Sequence, residues 1–200
     1  MPSTCVKGER ALIDTATGQD GLLLRTSGRQ GPQIERRTWQ RAEDRGLWLQ
    51  VAPGAYRHAA TPLTLDMQIR AGAEWLGARG ALWGSTALTW LGVEVAPPGA
   101  AAFLVPRSLR SIPNWAEIHT TKLWNDRDVI RHRGIRTTTA TRAILDFAMS
   151  APSATDLEAV IDSAIRHRRT SLPTLRRRLV DLSGSAMPDA ATHSNRSDRR

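Results

Sequence analysis

PQIERRTWQRAEDRGLWLQVAPGAYR, residues 32–57, reads as a basic helix that runs directly into a β-hairpin. Pro32 suits a first helical turn, where its missing N–H removes no bond, and Gly46 after Arg45 suits a C-terminal stop. The predicted helix covers Pro32 to Arg45. On its wheel Ile34, Thr38 and Ala42 recur every four residues and can face a core, and Gln33, Arg36, Arg37, Gln40 and Arg41 fall on the other side. Arginine and glutamine are the side chains that match guanine, adenine and phosphate. Beyond Gly46, Leu47, Leu49 and Val51 alternate against Trp48 and Gln50, the period of a strand, and Pro53-Gly54 supplies a turn before Ala55-Tyr56-Arg57 returns. Helix, glycine and hairpin in this order form the DNA-reading half of a winged helix-turn-helix, with Arg57 on the return strand of the wing. The alternative is a solvated arginine-rich face, and Glu35, Glu43 and Asp44 dilute the basic patch.

Upstream, Glu9 to Ala16 has helical spacing, with Ala11, Leu12 and Thr15 or Ala16 on one side, and Leu22-Leu23-Leu24 follows Gly18. The first helix of a helix-turn-helix has to occupy RTSGRQG at 25–31. That segment is poor helix material, because Gly28 and Gly31 each cost about 1 kcal/mol relative to alanine inside a helix.

Two hundred residues, 40% hydrophobic and with seven Trp, suffice for a core. The 28 basic and 19 acidic residues give a net charge of +9, which favours a polyanionic partner. Residues 1–60 carry +3, residues 61–106 carry −1 and residues 107–180 carry +7, so the larger excess lies after the predicted winged helix. Cys5 is the only cysteine, which excludes an internal disulfide and a cysteine-rich zinc site. The N-terminus lacks an apolar signal core, and the uncharged run Ala81 to Val93 is too short to span a bilayer. A cytoplasmic location without membrane contact is expected.

Downstream, Thr64 can cap a helix with Leu65, Ile69, Gly72, Ala73 and Leu76 on one face, ended by Gly77 to Gly80. A helix over Gly84 to Leu91 places Trp83, Ala87, Trp90 and Leu91 on one face, read as core. Strand signals follow at 101–105, at 116–120 and on both sides of His132-Arg133-Gly134, predicting a small antiparallel sheet. Three helices complete the pattern: Ala140 to Met149 with Ile144, Leu145 and Ala148 inward; a stripe of Leu157, Val160, Ile161, Ala164 and Ile165; and Leu172 to Leu182 with Leu175, Leu179 and Leu182 inward. The fold class is therefore α+β. The expected domains are an N-terminal winged helix over 1–60, a mixed helical domain with a small antiparallel sheet over 61–182, and a disordered polar tail over 183–200.

Chemistry-bearing motifs are sparse. Five histidines are scattered without metal-ligand spacing. Glu94 in VEV has no second acid or lysine nearby, and Pro97-Pro98 follow it, so it makes a poor nuclease residue. Asp146 and Asp162 fit polar-face or ion-pair roles on their helices, and the threonines of GIRTTTATR fit capping and strand formation. The arginines at 166–169 and 176–178 fit either a solvated face or a second nucleic-acid surface. No enzymatic activity and no cofactor are expected.

The QIERR helix with its wing ending in GAYR, WGSTALTWLG at 83–92, GIRTTTATRAILDFA at 134–148 and DLEAVIDSAIRHRRTSLPTLRRRL at 156–179 occur in that order. Together these stretches resemble the AbiEi family, the antitoxins of the AbiE type IV toxin-antitoxin (abortive infection, phage defence) systems, over roughly 9–182. The resemblance implies a winged helix that binds the promoter of its own operon as double-stranded DNA. It also implies a C-terminal region that counters a nucleotidyltransferase-like toxin without a stable complex. The recognition role then falls on Gln33, Arg36, Arg37, Gln40 and Arg41, with the wing over Trp48 to Arg57. Two departures stand out: the shortened, glycine-rich segment before the helix, and a polar tail where many relatives continue into a very-short-patch-repair-like endonuclease domain. The alternatives are a non-enzymatic interaction module with a degenerate winged helix, or the remnant of a nuclease-fused relative.

Overall fold

A short central helix packed on two sheets organises the chain. The computed structural model describes residues 5–6, 9–24, 33–34, 36–106 and 112–185, and over these the protein is α+β, with seven α-helices. The N-terminal elements are β1 (Cys5–Val6), α1 (Glu9–Thr17), β2 (Leu22–Leu24), β3 (Gln33–Ile34), α2 (Arg36–Asp44), β4 (Trp48–Ala52) and β5 (Ala55–His58). β2, β5 and β4 form an antiparallel sheet in that order, and β1 pairs with β3 in parallel. Leu12 and Ala16 of α1 meet Ala42, Leu23, Trp48 and Tyr56 in one small core.

Two expectations are corrected here. The basic helix begins at Arg36, because Gln33 and Ile34 pair as a strand with Cys5 and Val6. Pro32, its expected first-turn residue, and the segment 25–31 lie outside the described residues. In the hairpin the register shifts between Gln50 and Ala52, so a bulge at Val51 breaks the expected alternation. Trp48, Val51 and Ala52 are buried as a result, and Leu49 is left 41% exposed.

α3 (Leu65–Leu76) starts where the Thr64 side chain accepts the Met67 N–H at 3.2 Å, as its sequence predicts. Its faces serve different layers. Met67 and Ala71 pack with Leu22, Val51, Ala52 and Ala55 of the N-terminal sheet, and Ile69 and Leu76 enter the main core. A Cβ at Gly72 would lie 2.2 Å from the Phe103 ring, so only glycine lets helix and second sheet approach this closely. Trp115, whose indole N–H donates to the Val51 carbonyl at 2.6 Å, is a further tie between the layers.

The second sheet contains β6 (Ala81–Leu82), β7 (Ala101–Val105), β8 (Ala116–Thr120), β9 (Val129–His132) and β10 (Ile135–Thr138), with α4 (Gly84–Trp90) between β6 and β7. Its order is β8-β7-β6-β10-β9. β7–β8 and β6–β10 are parallel, whereas β6–β7 and β9–β10 are antiparallel. The expected small antiparallel sheet is thus a mixed one. Ala81-Leu82 is too short to show a period, yet it occupies the centre and separates the hairpin from β7. All five residues of β7 are buried, as expected for a strand covered on both faces.

α5 (Ala140–Ala148), α6 (Ala154–Arg166) and α7 (Leu172–Ser185) complete the fold, the first two capped by Thr139 and Ser153. Ala143, Ile144 and Phe147 form the buried face of α5, and Ala148 is exposed, because the inward stripe is turned by one residue from the expected one. On α7 only Leu175 is buried among the expected three; Leu179 is 53% exposed. Arg178 replaces it inward, drawn by Asp128. The helix continues to Ser185, past the expected start of the polar tail at 183, and residues 186–200 lie outside the described residues. No helix among the described residues is long and apolar enough to cross a membrane.

Asp128, Arg142 and Asp146 are all buried and form one ionic network with half-buried Arg178. Arg142 Nε donates to both oxygens of Asp146 at 2.9 and 3.0 Å, and Nη1 reaches Asp128 at 3.4 Å and the Leu123 carbonyl at 3.3 Å. Arg178 donates to both Asp128 oxygens, from Nε at 2.9 Å and from Nη2. Burial lifts the Asp146 carboxyl from 3.8 to about 6, against the opposing pull of Arg142. A raised folded-state value means that the folded protein holds this proton more tightly than the unfolded chain does. The stabilisation is complete below 3.8 and is lost as pH rises through about 6. Urea unfolding of wild type and Asp146→Asn at several pH values checks this. The stability of wild type minus that of the variant falls across that window and is level above it; a rise across the window contradicts the assignment.

Candidate nucleic-acid interface

α2 is short and amphipathic: Ala42 anchors it in the small core, and Arg37, Gln40 and Arg41 are exposed on one face at offsets of three and four. Gln40 Nε2 donates to Asp44 Oδ1 at 3.3 Å on the same face. The side chains of Gln33 and Arg36 lie outside the described residues; their backbones place Gln33 in β3 and Arg36 at the start of α2.

The helix ends where the sequence predicts a stop. Gly46 adopts φ +65°, its N–H donates to the Glu43 carbonyl at 2.8 Å, and the Leu47 N–H donates to the Ala42 carbonyl at 3.3 Å. This is the Schellman pattern, which satisfies two carbonyls of the last turn and turns the chain into β4. Arg45 leaves the helix towards α1 and pairs with Glu9 at 3.3 Å on the surface. α1, α2 and the hairpin are therefore fixed relative to one another mainly by the small core, with little added by that exposed pair.

The first turn of α2 holds Arg36 and Arg37 and no acid, whereas the last turn mixes Arg41 with Glu43 and Asp44. Acids stabilise helix N-termini, so the paired arginines sit at the dipole-positive end at a cost to helix stability. They concentrate positive potential at the first turn, where the backbone N–H groups already attract anions.

Arg57, expected on the wing as a DNA contact, lies half-buried in central strand β5, between Leu22 of β2 and Leu49 of β4. Its Nη1 donates to the carbonyls of His58 at 3.3 Å, Ala59 at 3.4 Å and Thr61. That guanidinium end closes the turn leading out of the hairpin. The exposed wing residues are Leu49, Gln50 and Pro53, with the Gly54 turn at φ +83°.

Several charged groups in the second half escaped the sequence reading. The ion-pair role expected for Asp146 is found, with Arg142 one turn away as its partner, whereas the Asp128 and Arg178 partners carry no sequence signal. Trp83 stacks on His119, with ring centroids 3.5 Å apart and an 18° interplanar angle, and burial lowers the imidazole from its usual value. Glu94 is exposed and pairs with Arg166 at 3.2 Å. Among the described residues no three His, Cys, Asp or Glu side chains are grouped to hold a metal ion.

No protein-family model matches the chain. No curated protein matches it either.

The bonds of Arg57 set an expectation for its truncation. Arg57→Ala loses about 1.5–3 kcal/mol of unfolding free energy, the scale of hydrogen bonds made by a charged donor. A loss too small to resolve by urea titration contradicts the closing role.

Proposed function

We propose that the chain is a transcriptional regulator that binds duplex DNA through α2 and the β4–β5 hairpin, used as a winged helix, and represses its own promoter. The observation that carries this reading is the acid-free first turn of α2, which puts Arg36 and Arg37 at the dipole-positive end. An arrangement that weakens the helix has a rationale if that end meets phosphate. Gln33, Arg36, Arg37, Gln40 and Arg41 supply the contacts in this reading, and Arg57 holds the wing. Apart from the added β3, the element order α1, β2, β3, α2, β4, β5, with β2 beside β5, supports it, since a winged helix places its first strand next to the return strand of the wing. The segment 25–31, where the sequence reading needs the remaining helix of such a module, lies outside the described residues.

The antitoxin role rests on the resemblance to the AbiEi family. In that role the region after Thr61 counters a nucleotidyltransferase-like toxin without a stable complex, and the protein acts in the cytoplasm, where its promoter is. One observation favours a second reading, an interaction module with a degenerate winged helix: pairing of Gln33 and Ile34 with β1 leaves α2 only nine residues long.

Promoter-DNA titrations at several salt concentrations separate the two readings. Neutralising about four to six phosphates gives a log–log slope of about −4 to −5 for wild type. Arg36→Ala, Arg37→Ala, Arg41→Ala together weaken binding at every salt concentration and make the slope shallower by about one for each phosphate no longer neutralised. Equal affinity and slope in both proteins, or no binding by either, contradicts the DNA reading and favours the interaction module.

A further inference from the structure

The β9–β10 hairpin carries an arrangement that DNA binding by α2 does not use. Arg131 of β9 and Arg136 of β10 are register partners across the antiparallel pair. Direct partners project from the same face with their Cβ atoms about 5 Å apart, and like charges there are destabilising. Both line a cavity of about 460 Å³ between the hairpin and the second half of α3. Arg133, in the turn at φ +47°, lines it too, and its guanidinium carbon lies 5.5 Å from the centre of the Trp90 ring.

One of these arginines, Arg136, is incompletely satisfied by the protein. Nε of Arg136 is buried and has no hydrogen-bond partner among the described residues. A buried guanidinium N–H without an acceptor is costly, and a native fold rarely retains one without a use. Arg131 Nη1 donates to the Gly134 carbonyl at 2.9 Å. The wall also carries Arg70, Asp66 and Glu74, and Arg70 is bound to Asp66 at 2.6 Å and to Asp20 at 2.9 Å. Four arginines thus stand against the two acids Asp66 and Glu74 on this wall, an excess of positive charge. Leu76, Phe103 and Ile135 make part of its wall apolar.

We propose that this cavity binds a small phosphomonoester, with the phosphoryl group held between Arg131 and Arg136, Arg133 closing over it, and the organic part against the apolar wall. Forked guanidinium donors on one cavity wall fit a phosphoryl dianion, whose oxygens accept charge-assisted bonds in pairs. The volume is that of a small-ligand site. An anion there removes the Arg131–Arg136 repulsion and supplies the acceptor that Arg136 lacks. The proposal uses no residue of α2 and is independent of its reading.

Calorimetric titration of the full chain in phosphate-free buffer with inorganic phosphate, adenosine 5′-monophosphate and adenosine tests it. The two phosphates bind and adenosine does not; tighter binding of the nucleotide identifies an organic phosphate, and equal affinity identifies free phosphate as the ligand. Arg136→Met weakens the binding at least about tenfold, the loss of one charge-assisted pair. Without ligand, the same variant unfolds at an equal or higher temperature than wild type, because it removes a like charge and an unsatisfied donor. Arg136→Lys, which keeps the charge and loses the fork, binds with intermediate affinity. Absence of phosphate binding, equal binding by Arg136→Met and wild type, or binding of a 5′-phosphorylated oligonucleotide without binding of either small phosphate overturns the proposal. None of these results depends on whether α2 binds DNA.

Discussion

Arg142 is the side chain on which the C-terminal half depends. Its guanidinium joins Asp146 one turn along α5 to Asp128 at the entrance to β9, and Asp128 in turn receives Arg178 from α7. Asp128 also contributes its backbone: its carbonyl accepts the Thr139 N–H at 2.7 Å, which holds the end of β10 to the entrance of β9. A buried ionic network of this kind returns little net stability over an apolar core of equal volume, because desolvation offsets most of the attraction. It is directional where apolar packing is not. Four charged groups with forked geometry fix α5 and α7 against the hairpin in one arrangement, and the Thr139 cap and the Ile144 and Phe147 contacts form within it.

α3 is the second constraint. Its two apolar faces connect the N-terminal sheet to the main core, so the elements on either side of Thr61 share a packed layer. The Gly72 contact with Phe103 brings α3 close to the second sheet, and the Arg-lined cavity lies beside that contact, where α3 faces the hairpin. The β4–β5 hairpin joins this layer through Val51, Ala52 and Ala55, and α2 is tied to the same hairpin through Ala42 and Trp48. Their exposed charges are therefore carried on a rigid base, which is what any surface that reads another molecule by position requires.

The parts of the fold that were legible in the sequence are those written in a single local period. Thr64 and Thr139 announce helix starts, Leu12 with Ala16 and Val160 with Ala164 announce buried faces, and Gly134 announces the hairpin turn. What escaped depends on partners distant in sequence. The strand at Gln33 exists because Cys5 and Val6 pair with it, and a proline-led helix is the better local reading of the same residues. The bulge at Val51 moves burial by one position. Arg178 looked like one more solvated arginine because its partner, Asp128, lies fifty residues away. For the candidate interface, the exposed face of Arg37, Gln40 and Arg41 was legible, and the structural bonds of Arg57 were not.

The most direct measurement of the Arg142 account is the equilibrium unfolding free energy of Arg142→Ala. Removing the centre of the network leaves two buried carboxylates short of a cation, and the account predicts a loss of about 3–5 kcal/mol. A loss below about 1 kcal/mol, the size found for exposed ion pairs, would contradict it.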